Sequence, residues 1–128
     1  MGTYDHYPIL VSGPFASDVR EARQILISVI THEAPTKHHI AMDIAQVPQV
    51  VEVANAGAWL FIPPSGGKQG GNQEARWKRY REEWKREIEE HRVTVDWVEI
   101  KVGEGEPEEI SDSWSRHRER YRESIDPH

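Results

Sequence analysis

The chain contains no cysteine. Disulfides, thiolate metal sites, a cysteine nucleophile and thiol redox switching are therefore excluded, and the absence accords with a reducing compartment. Long apolar runs are missing too. The longest are Ile9–Val11, Ile25–Ile30 (broken by Ser28) and Ala58–Ile62, far short of the ~20 residues that span a bilayer. Met1–His6 has no basic stretch leading into an apolar one, so no signal peptide is expected. The expectation is a cytoplasmic protein with no membrane partner. Nor is there a basic excess: the formal net charge is −6 with neutral histidines. Non-specific affinity for nucleic acid comes from neutralising phosphates, so direct nucleic-acid binding is not expected.

What is present is one domain's worth of chain, 128 residues, enough to bury a core without staples. Charge is dense and mixed. Positions 73–92 carry seven Lys/Arg against six Glu, and positions 103–128 carry eight acids against four Arg. Such patterns mark solvated helix faces.

Tyr7–Ser12 is a short apolar run closed by Gly13-Pro14, the pattern of a buried strand. Asp18, with Glu21 three positions on, starts a helix whose stripe is Val19, Ala22, Leu26, Val29 and Ile30. Pro35 ends it near Glu33. Positions 36–48 fit two patterns: a strand alternating through His38, Ile40, Met42 and Ile44, or a helix capped by Thr36 and stopped before Pro48. Gln49–Ala54 and Ala58–Ile62 flank Asn55-Ala56-Gly57 and read as a β-hairpin, with a helix over 48–56 as the rival. Ser65–Asn72 is a glycine-rich loop. Glu74–His91 is a helix with a stripe of Trp77, Tyr80, Trp84, Ile88 and His91. Val93–Val102 reads as a strand, with Val98, Ile100 and Val102 on one face and Trp97, Glu99 and Lys101 on the other. Ser111–Ser124 forms a final helix capped by Ser111.

The hairpin reading gives the order strand, helix, strand, strand, helix, strand. That is a ferredoxin-like βαββαβ arrangement: α+β, one antiparallel four-stranded sheet, helices on one face, and an extra C-terminal helix. Residues 1–110 form a single α+β domain and 111–128 a charged helix or tail. In this topology the first and third strands are central, and Ile9-Leu10-Val11 and Trp59-Leu60-Phe61-Ile62 are the most apolar runs. A strand at 38–44 with a helix at 48–56 gives a small α/β sheet instead.

Helices on one face leave the other open. With Leu60 and Ile62 turned to the helices, Trp59 and Phe61 point outward, joined by Trp97. An apolar patch of that size marks a partner, a ligand or a dimer interface; the alternative is that the C-terminal helix folds back over it.

Other residues carry candidate chemistry. Gly66, Gly67, Lys68 and Gly70, between a strand and a helix, are the components of an anion site. However, Gln69 stands where a phosphate-binding loop needs a hydroxyl, and a connecting loop is the alternative. His32, Glu33, His38, His39 and Asp43 fall within twelve positions, with His32, His38 and Asp43 as candidate metal ligands. The spacing matches no metal motif, and histidines exposed at a helix end are the plainer reading. His6 and His91 are of the type that serves as a general base. Glu104, Glu106, Glu108, Glu109 and Asp112 form an acidic cluster suited to a basic partner or to a solvated loop. The following Arg116, Arg118, Arg120 and Arg122 are offset by Glu119, Glu123 and Asp126.

No catalytic constellation emerges and no cofactor is implied. The expected function is a small non-catalytic interaction module that self-associates or binds a protein partner through an aromatic sheet face. One alternative is a dimeric α+β barrel enzyme with a histidine acid/base. Another is an acidic inhibitor of a nucleic-acid-binding protein.

Overall fold

The computed structural model describes residues 6–64, 72–103 and 105–115. The elements run β1 (Ile9–Gly13), α1 (Ala16–Glu33), α2 (Lys37–Ile44), β2 (Val51–Val53), β3 (Gly57–Ile62), α3 (Asn72–Glu90), β4 (Asp96–Lys101) and β5 (Glu108–Asp112). The protein is α+β, with one antiparallel five-stranded sheet in the order β2-β3-β1-β4-β5.

Local chemistry accounts for most boundaries. Pro14 and the extended Phe15 launch α1 two residues ahead of Asp18, which lies in the first turn where its charge complements the helix dipole. The helix stops before Pro35, with Ala34 N–H closing on Ile30 O. Residues 37–44 are helical, which removes the strand reading of this segment. Thr36 Oγ1 accepts from His39 N–H at 3.1 Å, satisfying a donor that the first turn leaves open.

The hairpin between β2 and β3 turns on Asn55 and Gly57, both at positive φ. Gly57 is needed twice over. Its φ is +80°, and a Cβ there would sit 2.4 Å from Gly13 O.

The core lies between the helices and one face of the sheet. Val19, Ala22, Leu26, Val29 and Ile30 of α1 meet Ile9, Val11, Ala58, Leu60 and Ile62 of the sheet. Trp77, Tyr80, Trp84 and Ile88 of α3 complete it. Trp84 donates its indole N–H to Ala22 O at 2.9 Å, tying α3 to α1, and packs edge-on against Trp97 at 6.1 Å. Burying such rings contributes about 4–6 kcal/mol each at most by area bookkeeping.

Three expectations are corrected. The sheet has five strands, not four: Glu108–Asp112 pairs with β4, so β4 is interior and no helix begins at Ser111. Asp112 takes over as cap, accepting from Ser115 N–H at 2.6 Å as the backbone turns helical at Ser113. Trp97, expected on the open face, turns to the helices and is 4% exposed. It does so because its neighbour Glu99 finds cationic partners on α3, which lets this side of β4 be buried. His91, placed on the α3 stripe, lies beyond the last turn and is exposed, bonding Glu87 Oε2 at 2.9 Å. Arg92, at positive φ, has already turned the chain.

Candidate functional site

Side chains alternate across a strand, so each residue between two core positions faces the other way. Leu10 lies between the buried Ile9 and Val11; Trp59 and Phe61 lie between the buried Ala58, Leu60 and Ile62. The register assembles them: Leu10 opposes Phe61, Ser12 opposes Trp59, and Trp59 opposes Val51. Leu10 is 37% exposed, Phe61 41%, Trp59 45% and Val51 57%, with Val53 exposed beside them. The three helices pack on the opposite face. The outward face is therefore a contiguous apolar surface running from β2 to β1.

Toward β5 the same face changes character. Val98 of β4 opposes both Leu10 and Asp112, Asp96 opposes Ser12, and Glu109 opposes Ile100. A groove of about 600 Å³ opens here, lined by Leu10, Trp59, Asp96, Glu109, Asp112 and Trp114 among others. Trp114 is held over it by the ends of β5. Asp112 caps the turn that carries it through both Ser115 N–H and Ser115 Oγ, at 2.6 and 3.0 Å. Ser113 Oγ accepts from Trp97 N–H at 2.9 Å, anchoring the turn to β4. Trp114 is 62% exposed. A hydrogen bond shared with the Asp112 carboxyl, and after it the Asp112 charge, push the Glu109 carboxyl above its usual range.

The opposite face holds the buried charges. Asp43 is fully buried and takes a two-pronged hydrogen bond from Arg76, Nε to Oδ2 at 2.6 Å and Nη2 to Oδ1 at 3.0 Å. Tyr80 donates its hydroxyl to the same Oδ2 at 2.7 Å. Glu99 sits against Lys85 Nζ at 2.7 Å, with Arg81 Nε at 3.7 Å and Ser111 Oγ donating at 3.2 Å. These are structural clusters, with every carboxylate oriented by a fixed donor.

Of the metal candidates, Asp43 is therefore committed to Arg76 and Tyr80. His32 lies at the end of α1, whereas His38 and His39 open α2, and His39 Nδ1 bonds Thr36 Oγ1 at 2.6 Å. Among the described residues no three His, Asp or Glu side chains converge as a metal site would require. His6 pairs with Val102 at the margin of the sheet. Gly66, Gly67, Lys68 and Gly70, together with Glu104 and Arg116–Arg122, lie outside the described residues.

Sequence reasoning found Trp59 and Phe61 but missed Leu10, Val51, Val53, Asp96 and the placement of Trp114. Period-two alternation around Ile9 and Val11 carries the signal for Leu10. Nothing local carries it for Trp114, whose position depends on β5. Among the described residues, no helix is long and apolar enough to cross a membrane. Comparison with protein families, with curated proteins and with solved structures finds no match to this chain.

Proposed function

We propose that the chain is a small non-catalytic interaction module that binds a protein partner through the open face of its sheet. The observation that carries this is the exposed apolar surface of Leu10, Val51, Val53, Trp59 and Phe61. Patches of contiguous apolar side chains on a rigid sheet serve recognition far more often than they persist unused. The strand order β2-β3-β1-β4 supports a ferredoxin-like core, with α2 added after α1 and β5 added beyond β4. Such a core presents one sheet face to a partner.

A different protein fits this face better than a second copy does. Two identical faces meet about a two-fold axis. With the axis along the strands, Glu109 and Asp112 of one copy fall against Val51 and Val53 of the other. With the axis across the strands, carboxylates fall against carboxylates. Either arrangement, with the two sheets centred on each other, sets carboxylates against apolar or like-charged groups, which is unfavourable. A partner with complementary cations avoids both. The absence of cysteine fits a cytoplasmic setting.

Light scattering of the purified protein, beside a Trp59→Ser, Phe61→Ser variant, tests this reading. Both are expected to be monomers at tens of micromolar. The variant is expected to match wild type in stability to within about 1 kcal/mol, because outward-facing side chains contribute little to the fold. A wild-type dimer that the variant converts to a folded monomer would assign the face to a second copy. A loss above about 2 kcal/mol would make the two aromatics structural.

A further inference from the structure

Hydrogen bonds fix which way each strand residue turns its backbone. His6 and Val102 exchange bonds in both directions, and Pro8 O accepts from Ile100 N–H. Even-numbered residues of β1 therefore bond to β4, which leaves Ile9, Val11 and Gly13 bonding to β3. Their partners there are Ile62, Leu60 and Ala58, so Trp59 and Gly57 turn the other way and bond to Val51 and Val53. Glu52, between those two, points its N–H and C=O away from the sheet. Strand β2 is a margin of the sheet, and among the described residues nothing bonds to either group.

Such an edge is a template for another strand unless charge, proline or a covering segment blunts it. The two margins differ in this respect. β5 carries Glu108, Glu109 and Asp112 in five residues. β2 is Val-Glu-Val with all three side chains exposed, and β-branched residues favour strands. Its one charge, Glu52, is held through Oε1 by Arg20 Nη1 at 2.9 Å. Val51 and Val53 lie on the open face, Val51 opposite Trp59, so a strand added here lengthens the apolar surface by one row.

We infer that the β2 edge binds an extended segment of a partner protein by antiparallel strand addition, with a lysine or arginine of that segment opposite Glu52 and an apolar residue on either side of it. This rests on the reading of the chain as a protein-binding module and names how the partner is held. Glu52 N–H and C=O are then both paired with one residue of the segment. That residue shares the Glu52 face, where a cation sets opposite charge across the strands and a carboxylate would set like charge. Its neighbours fall on the other face, beside Val51 and Val53, which gives the apolar–basic–apolar order. A second copy pairing Glu52 against Glu52 meets the unfavourable like charge.

The full-length protein is titrated with the acetylated, amidated peptide Ser-Thr-Val-Lys-Val-Thr-Ser and followed by its backbone amide resonances. Saturable shifts are expected at Glu52 and its strand neighbours, with slowed exchange of the Glu52 N–H. The same peptide methylated on the lysine backbone nitrogen cannot donate to Glu52 O and is expected to bind at least about tenfold more weakly. Glu52→Pro removes the outward N–H but no β2–β3 bond, so it is expected to fold and to weaken binding at least about tenfold. Glu52→Gln keeps the backbone and drops the charge, and is expected to weaken binding about two- to fivefold. Equal binding of the methylated peptide would overturn strand addition, as would no saturable shift up to ~5 mM peptide. Shifts at Leu10, Trp59 and Phe61 without any at Glu52 would overturn it while sparing the open-face reading. A wild-type dimer that Glu52→Pro converts to a folded monomer would assign the edge to a second copy and overturn the partner. Binding at the edge while Leu10, Trp59 and Phe61 are protected in the free protein would leave strand addition standing and overturn the open-face reading alone.

Discussion

Replacing Asp43 by alanine is expected to destabilise the protein by about 3–5 kcal/mol, the cost of stranding a buried cation. Arg76 and Tyr80 both spend their donors on this one carboxylate, and all three side chains are buried. Without Asp43 the Arg76 guanidinium stays buried and loses the carboxylate that pairs with it. Urea denaturation gives the number directly. The triple replacement Asp43→Leu, Arg76→Met, Tyr80→Phe removes every member of the cluster and is expected to regain most of the loss, because no polar group is then left unpaired. A single replacement costing under about 1 kcal/mol would contradict the buried geometry.

The same cluster sets a pH window. Burial pushes the Asp43 carboxyl up, but the hydrogen bonds from Arg76 and Tyr80, with the Arg76 charge, outweigh it and hold the group below its ordinary 3.8. A group depressed in the folded state stabilises above its unfolded pKa and loses that contribution as pH falls through the folded value. Tyr80 is the opposite case. Burial first, then its hydrogen bond to Asp43, raise the hydroxyl above its ordinary 10.0. Its contribution is complete below that value and is lost as pH rises beyond it. Stability from this cluster is therefore expected to be flat between about pH 4 and 10 and to fall on both sides. Tyr80→Phe is expected to flatten the alkaline limb of the curve.

Replacing Glu99 by glutamine is expected to cost a similar amount, about 3 kcal/mol or more. Glu99 is the acceptor for Lys85 Nζ and Ser111 Oγ and the nearest anion to Arg81. Burial pulls the Arg81 guanidinium below its ordinary range, and the Glu99 charge only partly restores it. Lys85 keeps a second partner in Glu82 at 2.9 Å, and Arg81 keeps its bond to Pro64 O, which limits the loss. A double-mutant cycle of Glu99→Gln with Lys85→Met is expected to show a coupling of about 1–3 kcal/mol. Additive effects would mean that the pair does not interact across α3 and β4.

These two clusters also show where the sequence stops being readable. Val19 to Ile30 and Trp77 to Ile88 disclose α1 and α3 because amphipathic spacing is a local property. The β2–β3 hairpin is legible for the same reason, with Asn55 and Gly57 supplying the positive φ its turn needs. Asp43 looked like a metal ligand because histidines adjoin it in the chain, whereas its partners stand 33 and 37 positions downstream. Glu99 made one side of β4 look solvated and drew Trp97 outward with it. The neutralising Lys85 and Arg81 belong to a different element, so no period along β4 reveals them. Glu108-Glu109-Ile110-Ser111-Asp112 has almost no strand propensity and is a strand because β4 offers it a ladder. The groove inherits that difficulty: Trp59 was visible from alternation, but Trp114 reaches the same face only because β5 exists.

The central claim is that the open face is bare and ready for a partner. Adding a soluble paramagnetic agent to dilute full-length protein, and reading the broadening of side-chain resonances, tests it most directly. The methyls of Leu10, Val51 and Val53 and the indole of Trp59 are expected to broaden strongly, while those of Ile9, Val11 and Trp84 stay sharp. Protection of the first set to the level of the second would mean that the protein covers this face itself, and the account of it as a binding surface would be wrong.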